Sequence, residues 1–134
     1  MKVLVLSPAN ENVKNVVRDF MYGCWCRGRR IGGMQMPPLN LLYVSTVLQN
    51  AGHEVSFVDA GIDRESYNRV KTAINEYKAV IILTSTNSFS LDIASLRELK
   101  ELNEKITTIV VGSHPTFMPE YCLAGKSIDI IVQR

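Results

Sequence analysis

Two short runs in this 134-residue chain carry groups able to do chemistry. Leu83-Thr84-Ser85-Thr86-Asn87 and Val110-Val111-Gly112-Ser113-His114 each lead an apolar stretch abruptly into hydroxyl, amide, glycine or imidazole groups. Hydroxyls donate and accept hydrogen bonds, and glycine lets a ligand approach the backbone closely. In an open parallel sheet, ligands sit just beyond the carboxyl ends of the strands. Two such ends, one strand apart in sequence, describe the floor of a site for a large, flat, polar-edged molecule. Thr84, Ser85, Thr86, Asn87, Gly112, Ser113 and His114 are therefore the candidate ligand-binding residues. The plainer alternative is a strand-end turn at 84–87 with a helix cap at Ser88 or Ser90, and a Gly112 that only turns the chain.

Several other chemistries are disfavoured. A dinucleotide site needs glycines directly after the first strand, but Ser7-Pro8-Ala9-Asn10-Glu11-Asn12 stands there. No Walker loop is present. A phospho-acceptor receiver needs an acidic pair after strand one and an aspartate ending strand three, where this chain has Ser7 and Thr84. Cys24, Cys26 and Cys122 with His114 offer a conceivable zinc set, but Cys-x-Cys is shorter than usual zinc spacing, so uninvolved reduced thiols are expected. The Cys-x3-Cys-x2-Cys triplet of an S-adenosylmethionine-cleaving iron–sulfur cluster is absent. Arg27, Arg29 and Arg30 beside Trp25 read as a solvated or docking loop, with a grip on carboxylate or phosphate as the alternative. His53 reads as a solvated turn residue.

These groups must be placed by regular elements. Lys2–Leu6 is a buried strand by its unbroken valine and leucine content. Val13, Val16, Val17, Phe20 and Met21 give Asn12–Met21 the stripe of an amphipathic helix. Residues 22–36 read as an irregular loop. Pro38–Ala51 is predicted as a helix capped by Gly52, apolar nearly all round and therefore buried on more than one side. Strands follow at Glu54–Val58, Ala79–Leu83, Thr107–Val111 and Ile128–Val132. Helices are expected at Arg64–Tyr77, from Ser90 to about Lys105, and briefly at Pro119–Ala124. Asp92 falls in the favourable first turn of the second of these. Alternating strands and helices predict a doubly wound, flavodoxin-like (Rossmann-type) α/β fold with a five-stranded parallel sheet in the order 2-1-3-4-5.

With 46% apolar residues the chain can bury one domain's core, and its formal charge of +2 gives no argument for nucleic acid. The opening apolar stretch is too brief for a signal-peptide core or a membrane span. Three cysteines, an odd number, suit a reducing compartment, so a cytoplasmic protein is expected. A sheet with no helix after its fifth strand suggests an N-terminal piece of a longer polypeptide.

The ordered set Pro37-Pro38-Leu39-Asn40-Leu41-Leu42-Tyr43, Leu48-Gln49-Asn50-Ala51-Gly52-His53-Glu54-Val55, Val58-Asp59-Ala60, Val111-Gly112-Ser113-His114-Pro115-Thr116-Phe117-Met118-Pro119-Glu120 and Ile128-Asp129-Ile130-Ile131-Val132 resembles the cobalamin (B12)-binding domain that precedes many radical S-adenosylmethionine enzymes. Oxidative cyclases and B12-dependent methyltransferases belong to that group. The resemblance implies a corrinoid over the sheet's carboxyl edge. Thr84, Ser85 and Thr86 would hydrogen-bond its nucleotide tail, while Gly112 and Ser113 would lie against the tail's base. The family usually has a second glycine where Ser113 stands. Its Asp-x-His-x-x-Gly stretch, whose histidine ligates cobalt, is missing after strand one, so Asn10 or a water would face the metal and no protein metal ligand is expected from that loop. The resemblance further implies a radical S-adenosylmethionine domain as partner, holding the [4Fe-4S] cluster and S-adenosylmethionine, with methyl transfer or oxidative cyclisation as the joint activity. Alternatives from other classes are a docking module that no longer binds corrinoid and a small-molecule sensor.

Overall fold

The computed structural model describes residues 1–8, 18 and 37–133. The expected helix at 12–21, the loop at 22–36, Asn10, Cys24, Cys26 and the arginine run lie outside the described residues, apart from Arg18. Five parallel strands, β1 (Lys2–Ser7), β2 (Glu54–Asp59), β3 (Ala79–Leu83), β4 (Thr107–Val111) and β5 (Ile130–Val132), form one sheet in the order β2-β1-β3-β4-β5. The described helices are α1 (Leu39–Asn50), α2 (Arg64–Thr72), α3 (Phe89–Leu102), α4 (Ser113–Phe117) and α5 (Pro119–Leu123), with a 3-10 turn at Ile74–Glu76. The flavodoxin-like expectation holds in topology and strand order.

Strand period divides the core in two. On one face Leu4, Leu6, Val80, Ile82 and Val110 meet Tyr67, Val70, Ile74, Leu96, Leu99 and Cys122. On the other, Val3, Val5, Ala79, Ile81 and Leu83 meet Leu41, with Val44 and Leu48 of α1 packed alongside. Helices therefore lie on both sides of the sheet. Among the described residues no helix is long and apolar enough to cross a membrane.

Element ends differ from the sequence reading for local reasons. α3 begins at Phe89 rather than Ser90, because the Ser88 carbonyl already accepts from the Leu91 and Asp92 amides at 3.0 and 2.9 Å. It stops at Leu102, short of Lys105, where Asn103 turns extended and donates its amide to the Ile74 carbonyl at 3.1 Å. The expected helix Arg64–Tyr77 breaks at Ala73, whose N–H is shared between the Arg69 and Val70 carbonyls, a bond pattern that tightens the coil to 3-10. β5 starts at Ile130, not Ile128, because Asp129 is tied to Thr108 through its own amide and through its carboxylate at 2.8 Å. The Gly52 cap of α1 is present: φ is +83°, and the Gly52 and His53 amides bond the Gln49 and Leu48 carbonyls.

Within this chain α1 is covered on one side by the sheet: Leu41 and Ser45 are buried, while Leu39, Tyr43 and Val47 are exposed along one outer stripe, the side expected to be covered by something other than the sheet. One expectation is corrected. His53 is not a freely solvated turn residue: it is half-buried and its Nδ1 is sealed without a partner.

Gly112 links β4 to α4 at φ +127°, and a Cβ there would lie 2.2 Å from the Thr84 carbonyl oxygen. That contact is impossible without moving backbone, and the φ itself disfavours any other residue. Gly112→Ala should therefore cost about 2 kcal/mol or more, from strain and overpacking together. Urea denaturation of the purified chain checks this. A midpoint unchanged from wild type would show that the two strand ends do not close up in solution.

Candidate functional site

The carboxyl ends of β3 and β4 lie side by side. The ladder continues one step past the strands, with the Thr84 amide donating to the Val111 carbonyl at 3.0 Å. Gly112 is what makes this closeness possible, so its lack of a side chain serves the chain's own packing first. The candidate residues then separate into two groups.

The first group faces inward. Thr84 is fully buried, and its hydroxyl donates to Asp92 Oδ2 at 2.7 Å. Ser85 is buried, with its Oγ 3.0 Å from Ser88 Oγ, and Ser88 also accepts from the Ser85 amide at 3.2 Å. Ser88 thus works as a turn residue folded back on Ser85 and makes no side-chain cap on α3. These hydroxyls already have partners within the chain.

The second group lines the rim. Thr86 and Asn87 are exposed in the turn before α3. Ser113, half-buried, opens α4. His114 is 7% exposed, and its Nδ1 lies 3.2 Å from Thr86 Oγ1, bridging the loop after β3 to the loop after β4. The imidazole packs 4.4 Å from the Phe89 ring and 5.9 Å edge-on to Tyr121, whose own ring is 5.8 Å from Phe89. His114 Nε2 is buried with no hydrogen-bond partner. An unsatisfied buried polar atom costs on the order of 1–3 kcal/mol. Such groups in native structures call for an explanation.

One buried polar cluster beside the site escaped the sequence reading. Asp92, fully buried, accepts from Arg18 Nε at 2.9 Å and Nη2 at 2.6 Å, and the same Nη2 donates to the Pro8 carbonyl at 2.9 Å. With Thr84 on its other oxygen, Asp92 ties the end of β1 to the end of β3. In the 2-1-3-4-5 order that gap is the topological switch point, where open sheets seat ligands. The sequence signal was partial: Asp92 stood in a helix's first turn, but nothing marked Arg18, 74 residues away, as its partner.

Electrostatics at the rim are mild. Burial lowers His114 from the usual 6.5, so the ring resists protonation. Burial pushes the Cys122 thiol up. Among the described residues, no group of histidine, cysteine and acidic side chains is placed to hold a metal ion. Cys122 lies in the core, and its two possible zinc partners, Cys24 and Cys26, are outside the described residues.

Fold and rim together define a class: an open, doubly wound α/β domain with a ligand edge at the ends of β3 and β4. Comparison with known proteins sharpens this. The profile of the B12 binding domain matches residues 32–134, and the chain belongs to that family, which implies corrinoid binding. It is also similar to an uncharacterized methyltransferase from Pyrococcus horikoshii, 25% identical over 136 residues, covering 99% of this chain and 26% of that protein. The chain thus spans about a quarter of this relative's length. No solved structure matches it significantly.

Two stability predictions follow from these contacts. Asp92→Ala leaves the Arg18 guanidinium buried without its counter-charge and should cost about 3–5 kcal/mol, whereas the paired apolar swap Arg18→Met with Asp92→Leu should come much closer to neutral. Denaturation of the single and double variants measures both. For His114, the depressed folded pKa means the unfolded chain takes up the proton first as pH falls below 6.5. Stability from this residue is complete above 6.5 and is lost as pH falls through that window toward the folded pKa. His114→Gln should flatten that acid limb in a melting series, and an unaltered limb would assign the loss to other groups.

Proposed function

We propose that this chain binds a cobalamin at the carboxyl edge of its sheet and presents it to a second, catalytic domain. The observation that carries the reading is the B12-binding family match over residues 32–134, joined to the unpartnered His114 Nε2 at the rim. The residues fit such a group chemically. Thr86, Asn87 and Ser113 offer small polar side chains at the edge, and His114 Nε2 is an orphaned polar atom. Gly112 keeps the floor between them free of any side chain.

In this reading Thr86, Asn87, Ser113 and His114 contact the cofactor's nucleotide tail or its polar rim. Thr84 and Ser85 support the floor from below, through Asp92 and Ser88, rather than by direct hydroxyl contact. Asn10 would approach the cobalt side. When bound, the corrinoid supplies a cobalt centre able to carry a methyl group or an electron. The protein supplies placement.

The partner would be a radical S-adenosylmethionine domain of the same polypeptide, holding the [4Fe-4S] cluster and S-adenosylmethionine, with the chain as its N-terminal cobalamin domain. Methyl transfer is the favoured joint activity because the relative carries a methyltransferase name and is about four times as long; oxidative cyclisation is the other. Ile109, Val111, Ile130 and Val132 share one side of β4 and β5 by register. Ile130 and Val132 are 45% and 49% exposed there, which leaves apolar sheet face for such a domain to cover.

The internally satisfied Thr84 and Ser85 hydroxyls favour one rival, a docking module of the same fold that has lost the cofactor. Titration with hydroxocobalamin, followed by its visible spectrum and by calorimetry, separates the two. Saturable one-to-one binding is expected. Ser113→Gly, which removes one of the polar side chains at the edge, should weaken binding by roughly threefold. An absence of saturable binding, with circular dichroism showing an intact fold, would leave the docking module as the better account.

A further inference from the structure

Of the two buried, unpartnered imidazole nitrogens among the described residues, on His53 and His114, the one on His114 lies at the ligand edge. That ring's Nδ1 is held by Thr86, but Nε2 is sealed and unpartnered at the edge where the ends of β3 and β4 meet. We propose that Nε2 of His114 is a hydrogen-bonding contact for an uncharged amide-like group on the ligand, not a grip for an anion and not a ligand to a metal. The proposal rests on the corrinoid reading of this same edge and specifies what that edge recognises.

The surroundings of the ring decide its chemistry. Among the described residues, its ring and hydrogen-bond contacts are the Phe89 ring, the Tyr121 ring and the Thr86 hydroxyl. Tyr121 is the one titratable side chain among these contacts, and none is a carboxylate. Histidines that serve as cations or as metal ligands commonly have a carboxylate or carbonyl on the second nitrogen, which raises ligand basicity and fixes the tautomer. Here the second nitrogen meets a hydroxyl, which donates or accepts with equal ease. The imidazole can therefore present Nε2 either as an N–H donor or as a bare acceptor. A primary amide carries both complementary roles, so it can satisfy Nε2 in either tautomer.

An anion would be held most strongly by the protonated ring. Burial between two aromatic rings opposes that protonation, consistent with the lowered pKa. Tyr121, edge-on to the imidazole, is 61% exposed and stands at the outer side of the cage.

The test is a hydroxocobalamin titration of wild type, His114→Gln and His114→Phe between about pH 5 and pH 8, the range over which a histidine titrates. An amide contact covers the ring further, so its protonation competes with binding, and wild-type affinity falls as pH drops through the depressed pKa of the folded ring, which lies below the usual 6.5. His114→Gln keeps a neutral hydrogen-bonding group and should bind within roughly threefold of wild type at the alkaline end, with the acid loss removed. His114→Phe fills the cage without a polar atom and should bind about tenfold more weakly, with circular dichroism verifying its fold. Should that variant not fold, the pH profile of His114→Gln decides alone. Affinity that rises toward acid identifies an anion contact and overturns the proposal. So does a Co(II) electron paramagnetic resonance spectrum whose nitrogen coupling vanishes in His114→Gln, since that assigns metal ligation. Wild-type affinity in His114→Phe removes the His114 contact while leaving the corrinoid reading standing. A wild-type chain that binds no corrinoid at any pH ends that reading and this proposal together.

Discussion

A carboxylate with no exposure to water sets the terms for the ligand edge of this domain. Asp92 sits in the first turn of α3, where the helix dipole favours a negative charge. Burying it would be prohibitive without a counter-charge and filled lone pairs. Arg18 supplies the charge, Thr84 takes the second oxygen, and Arg18 also reaches the Pro8 carbonyl. Because Asp92 lies in α3, Thr84 follows β3 and Arg18 reaches the Pro8 carbonyl just past β1, satisfying one carboxylate ties these three backbone segments together. The electrostatic requirement and the architecture of the edge are the same fact.

The consequences run outward from that anchor. With Thr84 drawn down toward Asp92, its carbonyl comes to lie where a side chain at 112 would stand, and only glycine fits. The glycine in turn lets α4 start immediately, bringing His114 over the turn at Thr86. Phe89, at the start of α3, then closes the ring from one side and Tyr121 of α5 from another. The cage and the charged pair share the start of α3, since Phe89 stands three residues before Asp92.

The topology was legible because its signals are local and strong. Unbroken runs such as Val3-Leu4-Val5-Leu6 and Val80-Ile81-Ile82-Leu83 can only be central strands, and Gly52 marked a helix end. The α4 turn was not legible, since Gly-Ser-His-Pro reads as loop until Gly112 is seen to take a left-handed φ that starts a helix. The face of α1 was legible in part. Composition counts apolar residues but does not say what covers them, and within this chain Leu39, Tyr43 and Val47 lie outside. At the site, the strand-end positions were found from residue type alone. Which hydroxyls turn inward depends on Asp92 and Ser88, and the Arg18–Asp92 pair, separated by most of the sheet in sequence, leaves no periodic trace.

That inward turn changes what the hydroxyl-rich run means. A Thr-Ser-Thr sequence at a strand end invites the view that all three side chains address a ligand. Here two of the three are consumed in holding the floor rigid, and the third is shared with an imidazole. A rigid floor has a functional value of its own, because groups already fixed by buried hydrogen bonds lose no further conformational freedom when a ligand arrives. The polar atom left over, His114 Nε2, stands out because the residues around it are satisfied. In a loosely bonded edge an unpartnered nitrogen would say little. In one where Thr84, Ser85, Ser88 and Asp92 are each matched, it marks the place where recognition remains to be completed from outside.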